Sequence, residues 1–191
     1  MLQNELISTP IGEYLGRLAS DAPAPGGGSA AALTGALAAA LGQMVCGLTA
    51  GKPKFAAVEA EIRTLAQRFE RARVALADLV DEDAAAYLEL QRAFAIDKAD
   101  PRRRERIQQS AQLAAGAPLA TATLAHSVLS DARQLAAIGN PNLQADIQSA
   151  QALAVAASQA ALANVRANLP LLADESAAAV QREIAALEST V

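Results

Sequence analysis

The stretch from Ala22 to Gly51 contains no charged side chain, and this feature constrains the fold more than any other in the sequence. It opens with Pro25-Gly26-Gly27-Gly28-Ser29 and continues as an Ala- and Leu-rich run that reads as a helix. Glycine disfavours helix because it loses the most backbone entropy there, so the helix is expected to begin after the glycines, with Ser29 as N-cap. Gly51 is expected to end it.

Two stripes follow this predicted helix at helical spacing. One consists of small residues, Gly28, Ala32, Gly35, Ala39, Gly42 and Cys46, and the other of bulky residues, Leu33, Leu37, Leu41, Met44 and Leu48. A helix that is apolar almost all round is buried, either in a core or in a membrane. Because small residues let a second backbone come close, we predict that this is the central helix of the molecule.

A membrane span is the alternative, since the run is long enough for one. Alanine is only weakly hydrophobic, however, Gln43 lies in the middle, and neither end carries the aromatic residues of an interfacial belt. The N-terminal segment MLQNELISTP is polar and predicts no signal peptide. The single cysteine excludes an internal disulfide framework. These features together predict a cytoplasmic protein.

Composition narrows the classes of function. With 191 residues we expect one domain, spanning 1–191, and a net charge of -4 argues against a nucleic-acid partner. One histidine and one cysteine argue against a zinc or other transition-metal site, so no metal is expected. Aromatic residues make up 3% of the chain, so the core must be packed mostly with alanine and leucine, which requires closely spaced helices.

No stretch shows the alternation of a strand, so the chain reads all-α. A first helix is expected from Thr9-Pro10, with Ile11, Leu15 and Leu18 as its apolar face. Pro118 predicts a kink or break in a later helix, and Gly139-Asn140-Pro141-Asn142 predicts a turn. Taken together, the pattern predicts an all-α bundle of about six helices with a central apolar helix.

Asp83 interrupts an apolar stripe. In the long helical pattern from Phe55 to Phe94, apolar residues recur three and four apart, and the position that follows Leu76 and Val80 is Asp83. Burying an ionised carboxylate is costly unless it is paired. Two interpretations stay open: Asp83 is satisfied by a lysine, an arginine or a helix N-terminus, or it belongs to a functional site.

Two other polar features have plain structural interpretations. The cluster Arg102, Arg103, Arg104 and Arg106 is more typical of a solvated face than of an anion site. His126 lies off the apolar stripe of its helix, as a surface or interface histidine would.

The sequence resembles the formiminotransferase-cyclodeaminase C-terminal family, which includes methenyltetrahydrofolate cyclohydrolases. Ordered stretches along nearly the whole chain carry the resemblance: Ala22–Ser29 with its apolar helix, Leu48–Lys52, Leu79–Tyr87, Ala117–Leu119, Gly139–Asn142 with Asp146, and Asn164–Leu169. Two positions depart from the family pattern. Ala145 stands where a serine is usual, and Pro53 interrupts a lysine-rich stretch.

The resemblance implies a helical dimer that acts on folates, polyglutamylated forms included, without a further cofactor. It maps the catalytic carboxylate onto Asp83, the residue that the apolar stripe also indicates. The implied substrate contacts are Gly26, Gly27, Gly28, Ser29, Lys52, Asn140, Asp146, Asn164 and Arg166.

The glycines suit close backbone approach to a flat pterin. Lys52 is expected either to meet the glutamate tail or to hold Asp83 in its charged form. Asp146 is expected to accept N–H donors of the pterin, with helix capping in the first turn as the alternative.

Three functions follow from the resemblance. The first is cyclisation of 5-formiminotetrahydrofolate to 5,10-methenyltetrahydrofolate with release of ammonia. The second is hydrolysis of methenyltetrahydrofolate to 10-formyltetrahydrofolate by related chemistry. The third is non-catalytic folate binding or helical interaction. The sequence shows no formiminotransferase segment, so a cyclodeaminase is expected to receive its substrate from elsewhere.

Overall fold

The computed structural model describes residues 6–189; residues 1–5 of the polar N-terminal segment and residues 190–191 lie outside the description. Within it the chain forms six α-helices, four short 3-10 segments and no strand. The helices are α1 (Ile11–Leu18), α2 (Gly27–Thr49), α3 (Glu59–Phe94), α4 (Arg103–Ile138), α5 (Gln144–Asn168) and α6 (Asp174–Glu188). This confirms the predicted all-α class and the bundle of about six helices.

The small stripe of α2 is buried and faces the bundle, as predicted. α2 packs against α3, α5 and α4. A Cβ built on Gly35 would lie 3.1 Å from a Leu76 methyl carbon and 3.6 Å from the Ala157 Cβ, so both neighbouring helices come close at this point. Small residues make this spacing possible, since any larger side chain would push the helices apart.

Gly42 provides a direct test of this packing. A Cβ there would lie 2.5 Å from the ring of Phe69, which is fully buried. We expect Gly42→Ala to destabilise the fold by about 1–3 kcal/mol through overpacking. Gly116→Ala is the matched control, since that helical glycine faces open space, and it should stabilise by about 0.5–1 kcal/mol. Urea unfolding of the two variants measures the difference, and equal stabilities would contradict the packing.

Only part of the bulky stripe of α2 is covered, so the prediction that this helix is buried all round is wrong. Leu33 and Leu41 are half-buried and pack against the core. Leu37, Met44 and Leu48 are 51%, 41% and 46% exposed, because α3, α4 and α5 all lie on the opposite side of α2. By length and composition alone, α2 and α4 are each apolar enough to cross a membrane, and half of each apolar window is buried in the bundle.

The beginning of α2 differs from the prediction. The helix begins at Gly27 with Gly26 as N-cap, and Ser29 lies inside the first turn. Ser29 does not cap the helix with its side chain, because its hydroxyl lies 3.2 Å from the Tyr14 hydroxyl and its backbone N–H donates to Asp83. The other end is as predicted: α2 ends at Thr49, and Gly51 has a φ of 76°, which favours glycine.

Pro118 lies within α4 without ending it. Proline lacks the N–H that would bond the carbonyl four residues earlier, which is that of Ala114. Asn168 Nδ2 donates to the Ala114 oxygen at 3.0 Å and so replaces the missing bond. This side chain from α5 satisfies the buried carbonyl, so the helix continues.

Candidate active site

A cavity of about 250 Å³ lies where α2 begins. Its walls come from the loop before α2 and from α2, α3, α4 and α5. The polar side chains on the walls are Asp83, Tyr87, Asn164 and Asn168. Another part of the cavity wall is glycine: at Gly26, Gly27 and Gly28 the absence of side chains exposes the backbone. The cavity therefore combines one carboxylate with amide groups and a glycine wall.

Asp83 is held against the first turn of α2. A Cβ on Gly28 would lie 2.1 Å from Asp83 Oδ1, so only glycine leaves room for the carboxylate. The backbone N–H of Ser29 donates to that carboxylate. This N–H is one of the unpaired donors at the start of a helix. Of the alternatives left open for Asp83, the helix N-terminus is the partner found, and within residues 6–189 no lysine or arginine contributes to the shift of its pKa.

Burial raises the pKa of Asp83 above its ordinary value, and the Ser29 N–H offsets the effect only in part. A carboxyl group with a raised pKa exchanges its proton more readily near neutral pH, which is the property required of a combined general base and acid. Asp83 therefore has both the position and the electrostatic environment for proton transfer in the cavity.

The same burial predicts a gain in stability from Asp83→Asn at neutral pH. The folded-state pKa is raised, so the wild-type protein is most stable below the unfolded pKa and loses stability as pH rises through the folded pKa. The asparagine variant lacks this loss. We expect its Tm to match that of wild type near pH 3 and to exceed it at pH 7, as calorimetry would measure. A lower Tm at pH 7 would contradict the burial effect.

Tyr14 lies beside the first turn of α2, with its hydroxyl 3.2 Å from the Ser29 hydroxyl. Tyr14 is buried, and the pKa of its phenol is raised first by burial and then by the charges of Asp83 and Asp81. Asp81 accepts hydrogen bonds from the backbone N–H groups of Leu6 and Ile7, so it anchors the N-terminal segment to α3.

Asn164 and Asn168 lie one turn apart on α5 and face the cavity together. A Cβ on Gly27 would lie 3.0 Å from Asn164 Nδ2, so this side chain closes on the glycine wall. The structure thus brings the glycines, Asp83 and Asn164 into one place, although their substrate contacts remain predictions.

Lys52, Asn140 and Asp146 lie at the other end of α2. The Asn140 N–H donates to Thr49 Oγ1 at 3.3 Å, which places the α4–α5 turn beside the end of α2. Gly28 and Thr49 are about 32 Å apart along the helix at 1.5 Å per residue. Within one chain, Lys52 therefore does not hold Asp83 in its charged form.

Arg166 faces a second cavity, of about 270 Å³, between α4, α5 and α6. It pairs with Glu188 at 2.5 Å, and His126 lies on the same wall. Asn164 and Arg166 are two residues apart and therefore point to different sides of α5. Within one chain, Arg166 and Asp83 accordingly face different cavities, and the substrate contact of Arg166 stays a prediction.

Sequence reasoning missed Tyr14, Tyr87 and Asn168. The predicted apolar face of α1 includes Ile11 and Leu15, but both are exposed, and Tyr14 on another face of the helix is the buried residue. A usable signal was present in Asn168, which lies four residues after Asn164 and so on the same helical face.

The described residues thus form an all-helical bundle in which a half-buried carboxylate, Asp83, lies beside a glycine-walled cavity. The sequence profile of the formiminotransferase-cyclodeaminase family matches residues 10–186, and the chain belongs to this family.

Several known proteins are similar to this chain. Methenyltetrahydrofolate cyclohydrolase of Methylorubrum extorquens is 36% identical over 178 residues, which cover 91% of this chain and 84% of that protein. Formimidoyltransferase-cyclodeaminase of Gallus gallus is 32% identical over 174 residues, or 89% of this chain and 32% of that protein. The chain thus spans about one third of the length of the Gallus gallus protein.

The crystal structure of formiminotetrahydrofolate cyclodeaminase from Thermotoga maritima has a TM-score of 0.90 with this chain at 28% identity. The similarity covers 97% of this chain and 91% of that one.

Proposed function

We propose that this protein is a folate one-carbon enzyme that cyclises 5-formiminotetrahydrofolate to 5,10-methenyltetrahydrofolate with release of ammonia. The observation that carries the proposal is Asp83: a half-buried carboxylate with a raised pKa that accepts the Ser29 N–H, in a cavity with a glycine wall. The Thermotoga maritima neighbour is named for this activity.

In the proposed reaction, N10 of the substrate attacks the formimino carbon and closes the ring to a tetrahedral adduct. Asp83 takes the proton from N10 and delivers it to the formimino nitrogen, which then leaves as ammonia. One carboxyl group performs both transfers because its raised pKa makes the ionised form a better base and keeps the protonated form accessible. The glycine wall lets the flat pterin approach the backbone amides of α2.

Methenyltetrahydrofolate cyclohydrolase is the second candidate, and the Methylorubrum extorquens relative carries that name. Here Asp83 activates a water molecule against the methenyl carbon, and the ring opens to 10-formyltetrahydrofolate. Both reactions pass through related adducts at the same carbon, so the same carboxylate serves either. The cavity geometry is compatible with both.

A non-catalytic folate-binding or interaction protein is the third candidate. Such a protein has no need of a half-buried carboxylate with a raised pKa, which costs stability at neutral pH. We further propose that the protein works in the cytoplasm without a bound cofactor and accepts polyglutamylated folates.

We also propose a homodimer, supported by the exposed bulky stripe of α2. Leu37→Asp should yield a monomer in sedimentation experiments, because it places a charge in an apolar interface. Leu113→Asp is the matched control, since that leucine is 62% exposed on α4 and lies outside the stripe. A Leu37→Asp protein that stays dimeric would contradict this surface.

Ultraviolet absorbance with two folates tests the function. Methenyltetrahydrofolate appearing from 5-formiminotetrahydrofolate, with ammonia released, identifies a cyclodeaminase. Methenyl absorbance that disappears faster than its spontaneous hydrolysis identifies a cyclohydrolase. Neither change in folded protein would support the non-catalytic alternative.

A further inference from the structure

Two backbone carbonyls hold the side chain of Asn168 in one orientation. Its Nδ2 donates to the oxygen of Ala114 at 3.0 Å and to the oxygen of Asn164 at 3.1 Å. A side-chain amide nitrogen has two N–H donors, so both are used here. The reverse orientation would place Oδ1 against the same two carbonyl oxygens, and acceptors repel each other. The amide therefore has a fixed direction.

The Oδ1 atom is the free end of this amide. Within residues 6–189 it receives no hydrogen bond, and it is not a buried atom. Asn168 lines the cavity that contains Asp83, so this oxygen is available to a ligand there. At about 250 Å³ the cavity encloses only part of a ligand, since drug-sized ligands need about 300–1,000 Å³. In the proposed function the enclosed part is the reacting one-carbon group, because Asp83 acts on it.

Pro118 makes the Ala114 oxygen available to Asn168. In a regular helix this oxygen would accept the N–H four residues later, but proline has none. The carbonyl of Ala114, a buried residue, is thereby left for a side chain, and Asn168 bonds to it. The proline of α4 thus fixes the direction of an amide on α5 that faces the cavity. Pro118 is accordingly a positioning residue that acts through Asn168.

We propose that Asn168 Oδ1 accepts a hydrogen bond from the group that is exchanged at the one-carbon unit. This group is the leaving ammonia in a cyclodeaminase and the attacking water in a cyclohydrolase, so the role of Asn168 rests on the proposed function. Asp83 transfers the protons, and Asn168 orients the group that carries them. An amide oxygen held in place before the reaction needs no reorientation during it, which favours the transition state.

The bond orders and protons of the cyclisation balance with this assignment. N10 bonds to the carbon of the protonated formimino group, whose C=N bond becomes single. Asp83 moves the N10 proton to the amino nitrogen of the adduct, which becomes an ammonium with three N–H donors, one of them to Asn168 Oδ1. The carbon–ammonium bond then breaks, the N5 electron pair forms the methenyl bond, and ammonia leaves.

The hydrolytic case balances in the same way. The water oxygen bonds to the methenyl carbon while one of its hydrogens points to Asn168 Oδ1. One water proton passes through Asp83 to N5 as the N5–carbon bond breaks, and the other is released with formation of the formyl group.

The hydrogen bond to Asn168 should be strongest in the transition state. In the formimino group the positive charge is shared by two nitrogens, whereas in the adduct it is concentrated on the nitrogen that leaves. Loss of Oδ1 should therefore lower kcat more than it raises KM. We expect a decrease in kcat of about 10- to 100-fold, the usual effect of a hydrogen bond to a charged group.

A pair of variants separates this role from a structural one. Asn168→Ala should lower both Tm and kcat, because it removes Oδ1 and also leaves the Ala114 oxygen without its donor. The double variant Pro118→Ala/Asn168→Ala introduces a backbone N–H for that oxygen. We expect most of the lost Tm to return, while kcat stays about 10- to 100-fold below wild type. A double variant with wild-type kcat would overturn the proposal.

Pro118→Ala alone tests the positioning. The new N–H competes with Asn168 for the Ala114 oxygen, so the amide keeps only its bond to Asn164 and its direction is less fixed. We expect an unchanged or higher Tm and a kcat between those of wild type and Asn168→Ala. Wild-type kcat in this variant would overturn the role of Pro118.

Gln151→Ala is the matched control. Gln151 is also an amide on α5 that donates to an α4 carbonyl, that of Ala132, at 3.3 Å. It lies about 25 Å from Asn168 along α5 at 1.5 Å per residue. Its replacement should leave kcat unchanged, and a loss equal to that of Asn168→Ala would assign the effect to helix packing and overturn the proposal.

Wild-type turnover separates the two possible failures. If folded wild-type protein turned over neither 5-formiminotetrahydrofolate nor methenyltetrahydrofolate, the proposed function would be overturned and the role of Asn168 with it. If the wild type turned over one of these folates and the double variant did so equally well, the role of Asn168 alone would be overturned.

Discussion

Replacing Asp83 with asparagine is expected to lower kcat by a factor of about 10²–10⁴, the usual contribution of a general acid or base. Asparagine retains the shape and an oxygen that accepts the Ser29 N–H, but it neither takes up nor releases a proton. The loss should therefore occur in a fully folded protein. Steady-state turnover of 5-formiminotetrahydrofolate or methenyltetrahydrofolate measures it, with circular dichroism as the test of folding.

Asp78→Asn is the matched control. Asp78 is an exposed carboxylate on the same helix, five residues before Asp83, and its replacement should leave kcat unchanged. Wild-type kcat/KM should also rise with pH through a pKa above the usual aspartate range, because burial raises that of Asp83. Near-wild-type turnover in Asp83→Asn would contradict the proposed proton transfer by this carboxylate.

Gly28→Ala is expected to produce the second largest effect. The added methyl carbon would lie 2.1 Å from Asp83 Oδ1 and 2.5 Å from its Cγ, so the carboxylate must move away from the first turn of α2. A displacement of the catalytic group by about 1 Å can reduce the rate by about 10²-fold. We expect kcat to fall by that order while the helical content stays the same.

Gly12→Ala provides the comparison for this variant. Gly12 is also a helical glycine, but a Cβ there meets no atom within 4 Å. Its replacement should leave kcat at the wild-type value. If Gly28→Ala had the same kcat as Gly12→Ala, the carboxylate would not depend on the glycine, and the described contact would be wrong.

The fold was predictable because the helical signals are strong and local. The uncharged run ending at Gly51 and the turn at Gly139–Asn142 define helix ends that agree with the structure within a few residues. Asp83 was also predictable, since an acidic residue on an apolar stripe is visible in the spacing alone. Its partner was not, because the Ser29 N–H is a backbone group that no sequence pattern reveals.

The exposed face of α2 was not predictable from composition. An apolar side chain is compatible with a core and with an interface alike, and only the positions of α3, α4 and α5 show that Leu37 and Met44 have no neighbour within the chain. The continuous course of α4 through Pro118 was missed for a similar reason, because the side chain that compensates, Asn168, comes from another helix.

The sequence also does not reveal which of the predicted site residues lie together, because this depends on how the helices pack. Sequence order gave no sign that Lys52 and Asp83 lie at opposite ends of α2, because α3 runs back antiparallel to α2 and carries Asp83 to the beginning of that helix. Likewise, Asn164 and Arg166 are neighbours in sequence but face different cavities.

The most direct test of folate binding at Asp83 is a crystal structure with 5-formyltetrahydrofolate, in which an oxygen replaces the formimino nitrogen of the proposed substrate. We expect the formyl group and N10 to lie beside the Asp83 carboxylate, with the pterin against Gly26–Gly28. A folate bound in the second cavity beside His126 and Arg166, with the Asp83 cavity empty, would contradict it.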